Sequence, residues 1–112
     1  MSQSKVISLT ADTAASVTFE APEAYSVEID NPYVDETYTI DRSFYSVEVV
    51  NRDGAGEIWF TTNAAVPAVG GDNHSYVPAV AGASMPKRLN RPSTLTVRLI
   101  SNADAEVYVE VI

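Results

Sequence analysis

Apolar and polar residues alternate along most of this chain, so that every second position of a run is apolar. A period of two is typical of β-strands with one buried face, and the 3.6-residue period of an amphipathic helix is hard to find. Valine, isoleucine, threonine and tyrosine supply most strand positions, as a pleated, half-buried surface prefers. The pattern predicts strands at residues 5–11, 16–21, 24–30, 36–41, 45–51, 57–62, 94–101 and 106–112.

The alternation also assigns the two faces of each predicted strand. In the run at 45–50, for example, Tyr45, Val47 and Val49 share one face, and polar residues occupy most of the other. Antiparallel strands of this kind turn one face to the core and one to solvent. The predicted core comprises Val27, Ile29, Tyr45, Val47, Val49, Ile58, Phe60, Leu95, Val97, Leu99, Val107, Val109 and Val111.

Clusters of Asp, Asn, Gly and Pro separate the strands and mark turns. Short strands at near-regular spacing are typical of sandwiches and barrels. The segments 46–60 and 96–109 resemble each other when one glycine is skipped, which we interpret as two similar hairpins. We therefore predict an all-β fold, an antiparallel β-sandwich of the jelly-roll or Greek-key kind, in a single domain that covers residues 1–112.

The regular alternation breaks between residues 63 and 93, where prolines and glycines are frequent. A stretch this long without regular structure in a compact domain is usually functional or mobile. We therefore predict one long Pro/Gly-rich loop excursion, in which a short strand at 75–80 is an option that Pro78 would confine to a sheet edge. Residues 1–15 leave open a flexible N-terminal arm, since chain ends fray by default.

The net charge narrows the choice of partners. The 112 residues include 15 acidic and 7 basic side chains, for a net charge of −8. Nucleic acid is therefore not expected as a partner, because binding to phosphates rewards clustered Lys and Arg. No apolar run approaches the roughly 20 residues of a membrane span, and the first residues lack the apolar core of a secretory signal. We expect neither membrane association nor export.

Candidate catalytic and metal-binding residues are few. His74 is the sole histidine, and Asp72 and Ser75 are too close in sequence to be placed around it as a Ser-His-Asp arrangement. The acidic residues of segment 30–41 lack the spacing of a calcium loop. There is no cysteine for a thiolate site, and no glycine-rich loop that leads into a helix. We expect no catalytic residue, metal or cofactor, and a protein that is not an enzyme.

Several apolar residues fall on the outward side of their predicted strands. Trp59 alternates with core residues of its strand, and Ile100, Tyr108 and Ile112 take corresponding positions in theirs. An outward apolar stripe often marks an interface, although the segment 63–93 folding back over it is an equally open alternative. The candidate partner or subunit interface comprises Trp59, Tyr108, Ile100, Ile112, Pro67, Val69, His74, Tyr76 and Val77.

Residues 47–112 carry a series of short motifs. In chain order these are Asn51–Gly54, Glu57–Thr61, Pro67–Asp72, Val77–Pro78, Val97–Ser101 and Tyr108. In this combination the chain resembles a group of small structural proteins of tailed bacteriophages. The motifs describe a β-sandwich scaffold and carry no chemistry of their own.

The resemblance implies a non-enzymatic virion protein, and most of all a capsid decoration (cement) protein on the outer face of the head. Such a protein would contact the major capsid protein, form a homo-oligomer with a trimer favoured, and be made in the host bacterial cytoplasm. A head–tail connector or a tail accessory part is also compatible. A carbohydrate-binding or host-adsorption module, using the aromatic residues Tyr33, Trp59 and Tyr76, is the alternative from a different class.

Overall fold

The computed structural model describes residues 3–20, 25–30, 35–40, 44–90 and 94–111, and every regular element in them is a β-strand. The strands are β1 (Gln3–Leu9), β2 (Ala15–Glu20), β3 (Tyr25–Asp30), β4 (Asp35–Ile40), β5 (Phe44–Asn51), β6 (Ile58–Thr61), β7 (Ser75–Val77), β8 (Ser84–Asn90), β9 (Thr94–Ser101) and β10 (Ala105–Val111). The described residues contain no helix that could cross a membrane. The prediction of an all-β chain is confirmed.

Eight of the strands form two antiparallel sheets of four strands each. Sheet A has the order β1-β10-β5-β8, and sheet B has the order β2-β9-β6-β7. When these eight strands are numbered among themselves, the orders become 1-8-3-6 and 2-7-4-5, which is the jelly-roll arrangement of two interlocked Greek keys. The predicted antiparallel sandwich is therefore confirmed, in its jelly-roll form.

The core lies between the two sheets and takes alternate residues from both. Of the predicted core residues, those on β5, β6, β9 and β10 with described side chains are at most 2% exposed. The structure adds four large side chains that the prediction left out: Leu9, Val17, Phe19 and Val77. The predicted core residues Val27, Ile29 and Tyr45 have side chains outside the described part of the chain.

The prediction of two hairpins at residues 46–60 and 96–109 is wrong. β5 and β6 lie in different sheets, and so do β9 and β10, so each segment is an arch that carries the chain from one sheet to the other. The two arches pair with each other, β5 with β10 and β6 with β9. A polar turn between two alternating strands looks the same in a hairpin and in an arch, so only the partner strands distinguish them.

The predicted long loop at 63–93 contains two edge strands. β7 pairs with β6 at one margin of sheet B and ends directly before Pro78, as the option of a short edge strand required. β8 pairs with β5 at one margin of sheet A, although it contains Pro86. A strand at a sheet edge tolerates a residue without an amide proton, which is why this proline-containing segment can extend the sheet.

Residues 3–9 are likewise not a flexible arm. They form β1, which pairs with β10 residue by residue from Gln3 opposite Val111 to Leu9 opposite Ala105. Ile7 packs against the core from this strand, and Leu9 is buried in it. The pairing and this apolar contact hold the segment in sheet A, and they outweigh the tendency of chain ends to fray.

β3 and β4 form a separate two-stranded sheet in the connection between β2 and β5. The chain measures 59 Å along its longest axis and 26 Å and 18 Å along the others. An eight-residue strand spans only about 27 Å, so the β3–β4 hairpin lengthens the molecule well beyond the sandwich. It is inserted at the end of the sandwich opposite the two arches.

Candidate functional site

The outer face of sheet B carries an aromatic pair. Trp59 of β6 and Tyr76 of β7 are partners in the ladder, and their ring centroids lie 5.4 Å apart at an interplanar angle of 49°. On the other side of Trp59, Ile100 of β9 occupies the facing position. We call these three residues, together with Glu57 and Arg98, the aromatic face.

Strand alternation fixes the direction of both rings. Ile58 and Phe60, the neighbours of Trp59 along β6, are fully buried, as is Val77 beside Tyr76. Because successive side chains of a strand point to opposite faces, anchoring the neighbours in the core turns both rings outward. β7 is an edge strand of three residues, so Tyr76 lies at the margin of the sheet and is 36% exposed.

Glu57 places a carboxylate beside the aromatic pair. Partial desolvation first, then the hydrogen bond to Glu57 and the charge of that carboxylate, raise the pKa of the Tyr76 hydroxyl. Glu57 is itself positioned by the second arch, residues 96–109, because its backbone N–H donates to Asn102 Oδ1 at 2.9 Å. The loop of one arch therefore holds the acid that the edge-strand tyrosine contacts.

Arg98 adds a positive charge to the same face. It lies at an outward position of β9, opposite Thr61 of β6. Its Nε is buried and has no hydrogen-bond partner among the described residues. A buried donor without a partner costs free energy.

The aromatic face offers stacking and hydrogen bonding and no obvious covalent chemistry. Ring faces of Trp and Tyr pack against apolar or C–H-rich surfaces, and their polar edges accept or donate hydrogen bonds. Glu57 supplies an acceptor and Arg98 a donor at the borders of the pair. No cysteine, serine or histidine belongs to the set, so the arrangement is suited to binding.

His74 organises the loop that connects β6 to β7. Its Nε2 accepts a hydrogen bond from the Ala68 N–H at 3.0 Å, and the Gly71 N–H donates to the Ala68 carbonyl at 2.9 Å. A Cβ on Gly71 would lie 2.5 Å from His74 Nε2, so only glycine leaves room for the imidazole. His74 therefore has a structural role in this loop, from which Val69 is 42% exposed.

The outward stripe predicted from Trp59 and Tyr108 does not exist as one surface. Trp59 lies on the outer side of sheet B, whereas Tyr108 is on β10 and faces outward from sheet A. The Tyr108 hydroxyl donates to Glu110 Oε2 of its own strand at 3.2 Å. The sandwich core separates the two aromatic residues, since the resembling arches run in opposite senses between the sheets.

The other predicted interface residues divide into exposed and buried ones. Val69 and Tyr76 are exposed and His74 is half-buried, whereas Pro67 is buried, Val77 is fully buried and Ile100 is 7% exposed. Placing Val77 at an interface is wrong, because alternation along β7 points it into the core. Ile112 and Tyr33 lie outside the described residues.

One buried asparagine holds the arch end of the sandwich. Asn51, at the end of β5, donates from Nδ2 to the carbonyls of Gly56 at 2.9 Å and Pro78 at 3.0 Å. Its Oδ1 accepts the Gly54 N–H at 2.9 Å. Gly54 has φ of +68°, and a Cβ there would lie 2.5 Å from the Ala81 nitrogen. Both the backbone conformation and the close approach of Ala81 therefore require glycine at this position.

A shallow depression of about 330 Å³ also lies at the arch end. Its acidic residues serve the backbone: Asp53 accepts the amides of Ala55 and Glu106, each at 3.1 Å, and Asp104 accepts that of Ala11 at 2.9 Å. Within the described residues no three His, Cys, Asp or Glu side chains are grouped to hold a metal ion. The depression therefore lies among loops that these carboxylate–amide hydrogen bonds hold together.

The sequence prediction missed three residues that shape these sites. Asn51 had a visible signal, because it continues the inward series of Val47 and Val49 with a polar side chain, which a core accepts only with hydrogen-bond partners. Glu57 and Arg98 gave no such signal. Their importance comes from neighbours on other strands, and the alternation says only that Arg98 faces outward.

Comparison with known proteins supports the fold class. No protein-family model matches the chain, and no curated protein matches it. Among solved structures, the pre-peptidase C-terminal domain of collagenase from Bacillus anthracis is similar over 98% of this chain and 88% of that chain, with 16% identity and a TM-score of 0.50. A carbohydrate-binding module of Cellvibrio mixtus lichenase 5A in complex with cellotriose matches 98% of this chain and 85% of its own, with 12% identity and a TM-score of 0.38.

The similarity to the collagenase domain concerns architecture alone, because the two chains are only 16% identical. The chain is a β-sandwich module. Its ligand or partner has to be argued from its own surface and from the motifs in residues 47–112.

Proposed function

We propose that this chain is a non-enzymatic structural protein of a bacteriophage virion, which decorates the outer face of the capsid and contacts major capsid subunits. The motifs that resemble small phage structural proteins motivate the proposal. The observation that carries it is where those motifs lie: Asn51–Gly54 builds the first arch, and Glu57–Thr61 supplies Trp59 and the acid of the aromatic face. The resembling residues thus build a scaffold and one outward surface.

The proposed docking surface on the capsid is the aromatic face with the loop at its border. Trp and Tyr are enriched at the energetic centres of interfaces, where partly exposed rings fill pockets on the partner. Val66 and Val69 extend the apolar surface from the β6–β7 loop and are 72% and 42% exposed. Arg98 and Glu57 would supply the hydrogen bonds that orient the contact.

Charge and assembly fit the same role. The net charge of −8 disfavours packaged nucleic acid and steers the protein toward basic patches on a capsid. A homo-oligomer, with a trimer favoured, would engage several capsid subunits at once, so that individually weak contacts add through effective concentration. The protein is then synthesised in the host bacterial cytoplasm and located on the capsid exterior, without membrane or nucleic acid as partner.

Co-sedimentation with capsids that lack the protein tests the proposal. The purified chain should sediment with such capsids, and Trp59→Ala combined with Tyr76→Ala should weaken the binding about tenfold or more, as truncated aromatic hot spots do. Tyr108→Ala is the matched control, because it removes an aromatic ring from the opposite sheet. Absence of the chain from capsids, with its presence in isolated tails, would reject the decoration role in favour of a tail part.

A carbohydrate-binding or host-adsorption module is the second candidate, and the Trp59–Tyr76 pair favours it. Aromatic rings stack on the C–H faces of sugars, while carboxylate and guanidinium groups such as those of Glu57 and Arg98 bond to hydroxyls. A glycan array followed by titration of Trp fluorescence tests this candidate. A saturable fluorescence change in the wild-type chain, together with array binding that Trp59→Ala abolishes and Tyr108→Ala preserves, would support it, and a blank array would remove it.

A further inference from the structure

The sandwich has four edge strands, β1 and β8 in sheet A and β2 and β7 in sheet B. An edge strand turns a row of unpaired N–H and C=O groups outward, and proteins protect such a row with proline, lysine, a bulge or a very short strand. β7 has only three residues. β8 contains Pro86, Lys87 and Arg88. Both of these edges are therefore protected against pairing with another strand.

The edge of β2 is protected by side chains of β1. Gln3 Nε2 donates to the Glu20 carbonyl at 2.8 Å, and Lys5 Nζ donates to the Thr18 carbonyl at 3.1 Å. The Lys5 ammonium also lies 5.5 Å from the centre of the Phe19 ring. These contacts occupy acceptors on the edge of β2, and they direct the one lysine of β1 toward sheet B.

Hydrogen bonds of the neighbouring ladder show which residues of β1 face its free edge. The Arg52 N–H donates to the Glu106 carbonyl at 3.0 Å, so Glu106 and every second residue after it in β10 direct their backbone groups toward β5. The alternate residues, beginning with Val107, direct theirs toward β1, where Val107 is the partner of Ile7. Three residues of β1 therefore direct their N–H and C=O groups away from β10, to the free edge: Ser4, Val6 and Ser8.

None of the usual protections is present on the edge of β1. The strand has no proline, and its register with β10 runs from Gln3 to Leu9 without a bulge. No described residue bonds to the edge-facing backbone groups of β1. The strand also has no acidic residue, in a chain that has 15. An unprotected edge of this kind is a template for a further strand.

An apolar row on the outer face of sheet A ends at the same edge. Tyr108 of β10 is the ladder partner of Val50 on one side and of Val6 on the other. Val6 is 49% exposed, because no strand of the described chain follows β1 in sheet A. A β-branched side chain on a sheet is stabilised by a cross-strand neighbour. Val6 lacks that neighbour on its free side.

We propose that β1 pairs in antiparallel fashion with β1 of a second copy of this chain, across a two-fold axis at Val6. The edge-facing residues are symmetrical about this axis, since a serine lies two positions before Val6 and another lies two positions after it. Val6 exchanges two hydrogen bonds with its own equivalent, and Ser4 exchanges two with Ser8 of the second copy. The two sheets A then form one sheet of eight strands, and the apolar row continues from one copy into the other.

The edge of β8 is a poorer partner for β1 than a second β1 edge. The Asn51 N–H donates to the Ala83 carbonyl at 2.8 Å, so Pro86, three positions further on, directs its backbone to the free edge of β8. Proline has no N–H to donate there. A contact between two identical β1 edges is two-fold and closes at two copies. The contact therefore gives a dimer, in place of the trimer that the resemblance to phage proteins favours.

Light scattering after size exclusion, on the isolated full chain, measures the mass that decides the proposal. The wild-type chain should have twice the monomer mass. Val6→Pro removes an N–H that faces the free edge and leaves the bonds of the β1–β10 ladder in place, so this variant should be a folded monomer. Val6→Thr keeps the N–H and the β-branched shape, and this control should stay dimeric. A monomeric or trimeric wild-type chain would overturn the proposal.

A charge at the two-fold axis provides a test that does not depend on proline. Val6→Lys and Val6→Glu keep the backbone N–H, and each places two like charges opposite one another in the dimer, so each variant should be monomeric. An equimolar mixture of the two should form a dimer again, because lysine then faces glutamate. Circular dichroism and the thermal transition verify that each variant is folded. A dimer of Val6→Lys alone, or a mixture that stays monomeric, would contradict the pairing of Val6 with itself.

Amide hydrogen exchange identifies the residues that bond across the axis. In the wild-type dimer the N–H groups of Ser4, Val6 and Ser8 should exchange slowly, and those of Ser4 and Ser8 should exchange about tenfold or more faster in monomeric Val6→Lys. The Ile7 N–H, which faces β10, should stay protected in both. Equal exchange at Ser4 and Ser8 in the two proteins would overturn the proposal. None of these measurements requires a capsid, so the inference can fail while the decoration role holds, and the reverse.

Discussion

Asn51 and Pro78 are joined by a hydrogen bond of 3.0 Å between the asparagine Nδ2 and the proline carbonyl, which ties the first arch to the chain leaving β7. Asn51 is fully buried, and its amide bonds two carbonyls and one N–H of the loops around it. Where an arch crosses from one sheet to the other, its backbone groups have no neighbouring strand to bond with. A single side chain that satisfies three backbone groups stabilises that crossing.

Replacing Asn51 with alanine should therefore destabilise the sandwich strongly. The change leaves two carbonyls and one amide without their partner in a buried site, and we expect a loss of about 3 kcal/mol in the free energy of unfolding. Urea denaturation followed by Trp fluorescence measures it. Asn102→Ala, on the exposed loop of the second arch, is the control and should cost about 1 kcal/mol or less. Equal losses would show that burial of Asn51 is not what matters.

Gly54 and Gly70 allow a matched test of steric approach. Both have positive φ, +68° and +70°, but a Cβ on Gly54 would strike the Ala81 backbone, while nothing lies within 4 Å of one on Gly70. Gly70→Ala should cost about 1 kcal/mol for the left-handed conformation. Gly54→Ala should cost about 2 kcal/mol more, because the overpacked loop must move. Similar midpoints of urea denaturation for the two variants would contradict the close approach.

Val77 and Val69 separate core from surface within the predicted interface. Val77→Ala removes methyl groups from a fully buried site, and we expect a loss of about 2 kcal/mol in stability. Val69→Ala, at a side chain that is 42% exposed, should change stability by less than about 0.5 kcal/mol. Thermal and urea unfolding of both variants check this. A larger effect at Val69 would show that the β6–β7 loop packs more tightly than the fold implies.

The Tyr76 hydroxyl should titrate above its ordinary value of 10.0, because of partial desolvation and its bond to Glu57. The folded state holds this proton more tightly than the unfolded state. The contribution of the Tyr76 hydroxyl to folding stability is therefore fully present below the pKa that it has in the unfolded chain. It is lost as pH rises through the higher folded pKa. Spectrophotometric titration of tyrosinate should show Glu57→Gln lowering the Tyr76 pKa, with Tyr76→Phe identifying its signal. An unchanged titration in Glu57→Gln would reject the contact.

The alternation of apolar residues predicted the strands and most of the core, because a period of two depends only on local backbone geometry. It placed Val47, Val49, Leu99 and Val109 correctly inside, and it placed Trp59 correctly outside. The strand prediction failed where a strand carries no alternation of apolar and polar residues. In β8, charged residues and Pro86 conceal an edge strand whose side chains are nearly all exposed and therefore need no alternation.

The sequence by itself determined the strand character of this chain, the inward face of its central strands and the turn positions that clusters of Asp, Asn, Gly and Pro mark. Only the tertiary structure decided which strands pair. It turned two apparent hairpins into arches, set Trp59 and Tyr108 on opposite outer faces, and brought Glu57 next to Tyr76. The physical reason is that alternation and turn preference are properties of neighbouring residues. Pairing is decided by the free energy of burying two sheets against each other, which involves residues far apart in the chain.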